Sequence, residues 1–137
     1  MHVGLVREPA DVEYAQIELF DRCGVTPFPA YEIHRRGADV TAENVSVLLR
    51  GLDLDGFWVH VDADVLDQSV MPAVDSPNPA GLTADQVTTL LRRFIHEPTV
   101  AGFDFTIYDP DLDPGGEAAE LLVDVITAAL ADSGASR

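Results

Sequence analysis

The chain has no lysine, one cysteine and one tryptophan among its 137 residues. Its 8 basic residues are all arginine and face 24 acidic ones, giving a formal charge of −16. Such a surface repels phosphate backbones and anionic lipid headgroups, so neither nucleic acid nor membrane is expected as a partner. A lone Cys23 excludes an intrachain disulfide and leaves no mark of an oxidising compartment. Its position among apolar residues predicts a small core side chain rather than a nucleophile. Long apolar runs are missing too, and MHVGLVREPA has neither the basic nor the apolar region of a secretion signal. The expected location is cytoplasmic.

What is present suffices for one ordinary domain, since 47% of the residues are hydrophobic. Residues 1–131 are expected to form one α/β unit and 132–137 a disordered tail. His2 to Val6 reads as a short strand, and residues 9–23 as a helix with Val12, Leu19, Phe20 and Cys23 on one face. The prolines of VTPFPAYEI allow at most a short edge strand. Thr41 is expected to open a helix with Val45, Leu48, Leu49 and Leu52 as its stripe. Phe57 to Val61 reads as a parallel strand covered on both faces. Thr83-Ala-Asp-Gln86 is a capping box for a helix that turns Val87, Leu90, Leu91, Phe94 and Ile95 inward. Thr99 to Ile107 is the last strand, and a helix from Glu117 carries Leu121, Leu122, Val125 and Ile126. Alternating strands and helices predict an α/β fold with a parallel sheet.

The carboxylates cluster in GFWVHVDADVLDQSVMPAVDSPNP, where a strand ends in Asp62, Asp64 and Asp67. Ligands of parallel α/β sheets collect at the C-terminal strand ends. Alternation places Asp62 and Asp64 on one side, and two carboxylates about 6 Å apart repel by roughly 3 kcal/mol at an effective dielectric near 20. A cation, a shared proton or full exposure to water must offset that. With no lysine at hand, a hard divalent ion held by oxygen donors is the simplest offset. Asp67, at the following bend, is expected to accept backbone donors and shape the loop.

Three motif comparisons bear on this stretch. A calcium loop starting at Asp62 puts Ala73 where a glutamate is needed. One starting at Asp109 recovers Asp111, Asp113 and Glu120 but has Pro114 at the glycine position, so turn residues and helix-terminal acids explain it as well. Asp62-Ala-Asp64-Val65 also resembles the opening motif of haloacid-dehalogenase-type phosphatases, with Asp62 as nucleophile and Asp64 as general acid. The nearby downstream bases for that chemistry are Arg92 and Arg93, inside an amphipathic helix.

The third comparison uses the whole loop. Asp62-Ala-Asp64-Val65-Leu66-Asp67, then Pro72-Ala-Val-Asp75-Ser76-Pro77, then Ala80-Gly81-Leu82-Thr83 resembles a signature of the arginase, or ureohydrolase, family. That signature runs roughly S-x-D-x-D-x-x-D-P, P-G-x-x-[ST]-P and G-G-L. VGLVREPADVEYAQIELFDRCGV and GFDFTIYDPDLDP are similar to the family's flanking strand–loop segments. The resemblance covers essentially the whole chain and corresponds to the C-terminal half of the family's three-layer α/β/α fold.

This resemblance implies that Asp62 and Asp64 ligate a two-manganese cluster whose bridging hydroxide attacks a guanidine or amidine carbon. It also implies a small guanidino or amidino compound as substrate, and either a homo-oligomer or a complementing N-terminal half as partner. The family's other ligand motifs, similar to G-G-D-H-S and D-A-H-x-D, do not occur here. His34 is expected on a surface helix, and His96 as a helix C-cap. His60 stands where the signature has serine and becomes a hydrogen-bond partner of Asp62 or a compensating ligand. Gln68 replaces a proline. Ile107 replaces the glutamate that faces a guanidinium in the family, removing a charged hydrogen bond of about 1.5–3 kcal/mol. Ser76 keeps a hydroxyl near the substrate, and Asp109 could supply a displaced carboxylate. The rival expectation is a non-catalytic remnant that binds a divalent ion or a partner chain. A first strand starting at His2 also predicts a sheet edge that the missing half would cover.

Overall fold

Strand and helix alternate along the residues described by the computed structural model, namely 2–5, 20 and 22–131. The chain opens with β1 (His2–Leu5). Most of the helix expected over residues 9–23, and the tail 132–137, lie outside the described residues. Phe20, Arg22 and Cys23 are helical, and Cys23 is exposed rather than in the core, so the stripe that placed it inward does not hold at its end. β2 (Pro27–Pro29) pairs in parallel with β1, as short as its prolines require.

Pro29 precedes α1 (Ala30–Arg36), a surface helix that buries Ala30 and Ile33 and leaves His34 exposed. Gly37, at φ 97°, adopts a backbone conformation that L side chains rarely reach and redirects the chain into α2 (Ala38–Gly51). The helix therefore starts three residues before Thr41, whose hydroxyl instead bonds back to the Gly37 carbonyl at 3.2 Å. Small residues make its buried face: Ala38, Thr41, Ala42, Val45 and Ser46. Of the expected stripe, Val45 is buried and Leu49 half-buried, while Leu48 and Leu52 are exposed.

β3 (Phe57–Asp62) pairs in parallel with β4 (Val100–Thr106), in a register that sets His60 beside Asp104 and Asp62 beside Thr106. Phe57, Val59 and Val61 pack against the core, but Trp58 and His60 face outward, so β3 is covered on one face rather than two. Between the strands lies α3 (Ala84–Ile95), whose N-terminus has the expected reciprocal cap: Thr83 Oγ1 accepts from the Gln86 N–H, and Gln86 Oε1 accepts from the Thr83 N–H. His96 caps the other end, with Nδ1 2.8 Å from the Arg92 carbonyl.

The last helix, α4 (Glu117–Leu130), buries Ala118, Leu122, Val125 and Ala129, with Leu121 packed against the core. Its N-terminus is held by Asp113, which accepts the Ala118 and Ala119 N–H groups at 3.2 and 2.9 Å and the Tyr108 hydroxyl at 3.0 Å. Asp113 is thereby held below its ordinary carboxylate range, because these donors outweigh the burial that opposes them. The calcium-loop alternative loses Asp113 to this cap. α2 and α3 are tied by Glu97, which is only 5% exposed and accepts from Arg50 at 2.8 and 3.1 Å. No helix among the described residues is long and apolar enough to cross a membrane.

Candidate active site at the ends of β3 and β4

Two loops carry the ends of the paired strands and are themselves well built. After β3 the chain makes a 3-10 turn, Ala63–Val65, then folds back so that Leu66 bridges Leu82 and Asp67 bridges Asn78. Leu66, Met71, Ala73, Val74 and Leu82 are all buried, which makes this proline-rich loop a small core of its own. Gly81 is required there: a Cβ on it would lie 2.4 Å from the Asp67 nitrogen and the Leu66 carbonyl carbon. The Asp109 N–H donates to the Ala73 carbonyl at 2.9 Å, joining the loop after β3 to the loop after β4.

Asp67 does what its position predicts. Its Oδ1 accepts the Ser69 N–H at 2.9 Å, and hydrogen bonds from Ser69 and Gly81 hold its carboxyl below the ordinary range. Asp109 is committed in the same way, with Oδ1 taking the Asp111 N–H at 2.9 Å to cap the 3-10 turn Pro110–Leu112. That oxygen shapes the loop after β4. Ser76 lies on the exposed crest of the loop.

Asp62 and Asp64 line one cavity together with His60. Alternation along a strand does not bring them together, because β3 ends at Asp62 and Asp64 belongs to the 3-10 turn. Asp62 is oriented from two sides: Thr106 Oγ1 donates to its Oδ1 at 2.5 Å, and His60 Nε2 lies 3.1 Å from the same oxygen. His60 Nδ1 reaches Asp104 Oδ1 at 2.8 Å. A neutral imidazole can donate from one nitrogen only, so carboxylates on both favour the doubly protonated ring. The hydrogen bond to Asp104, with the charges of Asp62 and Asp104 and the hydrogen bond to Asp62, accordingly raises His60 above its ordinary 6.5 against the desolvation that opposes it.

Asp104 and Thr106 complete this network and were not among the expected site residues. Their signal was the neighbouring strand GFDFT, but only the β3–β4 register places them opposite His60 and Asp62. Ile107 follows directly after β4, 41% exposed and at φ 71°, which is strained for a β-branched residue. Arg92 and Arg93 do not face these carboxylates. Arg92 donates to the Ala128 carbonyl, and Arg93 to Ser46 and Glu43, which removes the basic partner that phosphatase chemistry would need.

A sequence model of the arginase family matches residues 1–131. The chain belongs to the arginase family. It is 37% identical over 101 residues to the N(1)-aminopropylagmatine ureohydrolase of Thermus thermophilus, covering 74% of this chain and 31% of that protein. It is 37% identical over 59 residues to a formimidoylglutamase of Bacillus subtilis, covering 43% of this chain and 18% of that protein. The fold agrees with arginase from Bacillus caldovelox at a TM-score of 0.78 and 22% identity, covering 93% of this chain and 41% of that one. The chain thus spans about a third of the length of the first of these curated relatives and about two fifths of the solved arginase. The α/β architecture with parallel strands, and the likeness to part of the arginase fold, are as the motifs implied.

Asp62 and Asp64 are donors of the right hardness for a divalent cation. Among the described residues, however, no three His, Cys, Asp or Glu side chains converge to hold one. Both ring nitrogens of His60 face carboxylates, Asp104 at 2.8 Å and Asp62 at 3.1 Å. The described residues therefore do not make a metal site by themselves, and no hydrolytic step follows from them alone.

Proposed function

We propose that this chain is the part of an arginase-family hydrolase that supplies Asp62 and Asp64 to a manganese centre acting on the C–N bond of a guanidino or amidino compound. The observation that carries the reading is the pair itself. Two carboxylates at the carboxyl end of a parallel strand share one cavity, within the loop whose sequence matches the family signature. The related proteins named above are, by their names, a ureohydrolase of N(1)-aminopropylagmatine and a formimidoylglutamase, and a Trypanosoma cruzi formiminoglutamase of the same fold was solved with manganese.

His60, Asp104 and Thr106 hold Asp62 in place in this reading, and Asp67 and Asp109 fix the two loops. The remaining donors come from outside the described residues. The test is an assay of urea and amine release with Mn²⁺, using the chain joined to the family's N-terminal region, against the Asp62→Asn variant. Turnover lost in the variant supports the reading; turnover indifferent to Asp62 sinks it.

A second reading, a non-catalytic remnant that binds a cation or partner, is favoured by Ile107. An apolar residue in a strained backbone stands at the chain position where the family signature has a glutamate. Absence of turnover in the joined protein, with metal still bound through Asp62, would select it.

A further inference from the structure

The reciprocal cap of α3 uses only one end of the Gln86 side chain. Its Oε1 takes the Thr83 N–H at 3.0 Å, which fixes the amide with its NH₂ end turned away from Thr83. That end lies 3.2 Å from Nδ1 of His34, exposed on α1. An amide NH₂ can only donate, so Nδ1 must accept. A neutral imidazole carrying its proton on Nε2 does so, and an imidazolium does not. A carboxylate also feels this ring. Hydrogen bonds from Ser69, then from Gly81, and the charge of a protonated His34 hold Asp67 below its ordinary range, against the burial that opposes them. Protonation therefore sets the two partners against each other: the neutral ring suits the Gln86 amide, and the charged ring suits Asp67.

We infer that His34 is a proton-operated clasp between α1 and the N-terminus of α3, bound to Gln86 when neutral and released toward Asp67 when protonated. The cap that Gln86 completes adjoins Leu82, whose N–H donates to the Val65 carbonyl at 2.7 Å and whose carbonyl accepts the Asp67 N–H at 2.9 Å. Backbone hydrogen bonds thus carry the state of the clasp to the loop that follows Asp64. The other charged groups around α1 have places of their own. On α1 itself, Arg35 and Arg36 turn to Glu32, at 3.8 and 3.5 Å. Of the elements packed on α1, β2 has no titratable side chain and β1 has His2 alone. On α2, Glu43 pairs with Arg93 and Arg50 with Glu97, and Asp39 is the remaining charge; on α3, Asp85 adjoins Gln86. The clasp needs neither metal nor turnover, so its failure is distinguishable from failure of the hydrolase reading.

The test is an NMR titration of the ¹⁵N,¹³C-labelled chain, without Mn²⁺, from about pH 8 to about pH 5, the range in which imidazoles change charge. The Gln86 side-chain NH₂ and the Thr83 amide should follow the His34 ring with one shared midpoint. Amide protection at Thr83 and Gln86, corrected for the intrinsic effect of pH, should fall about fivefold on protonation, the equivalent of a typical helix cap. In His34→Ala, an exposed change that suits a helix, both signals should be indifferent to pH. The two partners should also pull the His34 titration in opposite directions, to lower pH in Asp67→Asn and to higher pH in Gln86→Ala. The clasp is overturned if Thr83 and Gln86 do not follow His34, or if their response survives His34→Ala and so comes from one of the other charges. It is overturned equally if the two partner variants move the titration the same way.

Discussion

His60 and Asp104 are direct neighbours across the β3–β4 pair, and the imidazole Nδ1 lies 2.8 Å from the Asp104 carboxylate while Nε2 faces Asp62 at 3.1 Å. The arrangement holds a carboxylate at the site by way of a second carboxylate one strand away. All three side chains are around half exposed, so the network contributes little to folding. Replacing His60 by alanine should change urea-unfolding stability by less than about 1 kcal/mol. In a protein joined to the family's N-terminal region, the same change should weaken Mn²⁺ binding about tenfold or more, the usual effect of losing a ligand's orienting partner. Loss of stability without loss of affinity would mean that His60 is only structural.

Glu97 provides the pH dependence. Burial raises its pKa, but hydrogen bonds from Arg50 and Ser46 and the charges of Arg50 and Arg93 outweigh it, leaving the carboxyl below its ordinary 4.5. A carboxylate depressed in the fold stabilises fully above the unfolded value and loses that contribution as pH falls through the folded one. Glu97→Gln should therefore cost about 1–2 kcal/mol at neutral pH, moderated because both arginines are substantially exposed. The gap between variant and parent should close as the pH is lowered from 4.5. Urea midpoints across that range measure it, and a gap constant with pH would contradict the assignment.

Gly81 and Gly102 should respond differently to alanine. At Gly81 the new Cβ meets backbone that cannot move, so a loss of more than about 2 kcal/mol is expected. At Gly102 it meets the Trp58 ring, 2.5 Å away, and an exposed indole can swing aside. Gly102→Ala should cost less than Gly81→Ala and shift Trp58 fluorescence to the red. Thermal melts and emission spectra of both variants decide the order.

Ile107 should be improvable. A β-branched residue at φ 71° stores strain that glycine or asparagine would not. Ile107→Gly is expected to raise stability by about 0.5–1 kcal/mol in a urea titration, in spite of the lost side chain, which is 41% exposed. A destabilised variant would mean that the side chain packs more than it strains.

The parts of this molecule legible in sequence are those fixed over short distances. Thr83 and Gln86 cap each other across three residues, and Asp67 closes a turn with Ser69, so local chemistry sufficed for both. The same holds for His96 at its helix end. Burial was read less well, because periodicity names a face but not what covers it. Cys23, Leu48, Leu52 and the Trp58–His60 face of β3 are exposed, while Ala38, Thr41 and Ser46 make the buried contact of α2. Asp104 and Thr106 were missed for a third reason. Their place beside His60 and Asp62 depends on the register between strands some forty residues apart, which no local pattern specifies.

The central claim is that Asp62 and Asp64 face a metal that this chain holds only together with the rest of an arginase-family domain. It is tested most directly by an EPR titration with Mn²⁺ on the chain alone, on the chain joined to the family's N-terminal region, and on the joined Asp62→Asn, Asp64→Asn variant. The account predicts weak binding by the chain alone, tight binding by the joined protein and its loss in the variant. Tight binding that survives both substitutions would contradict it.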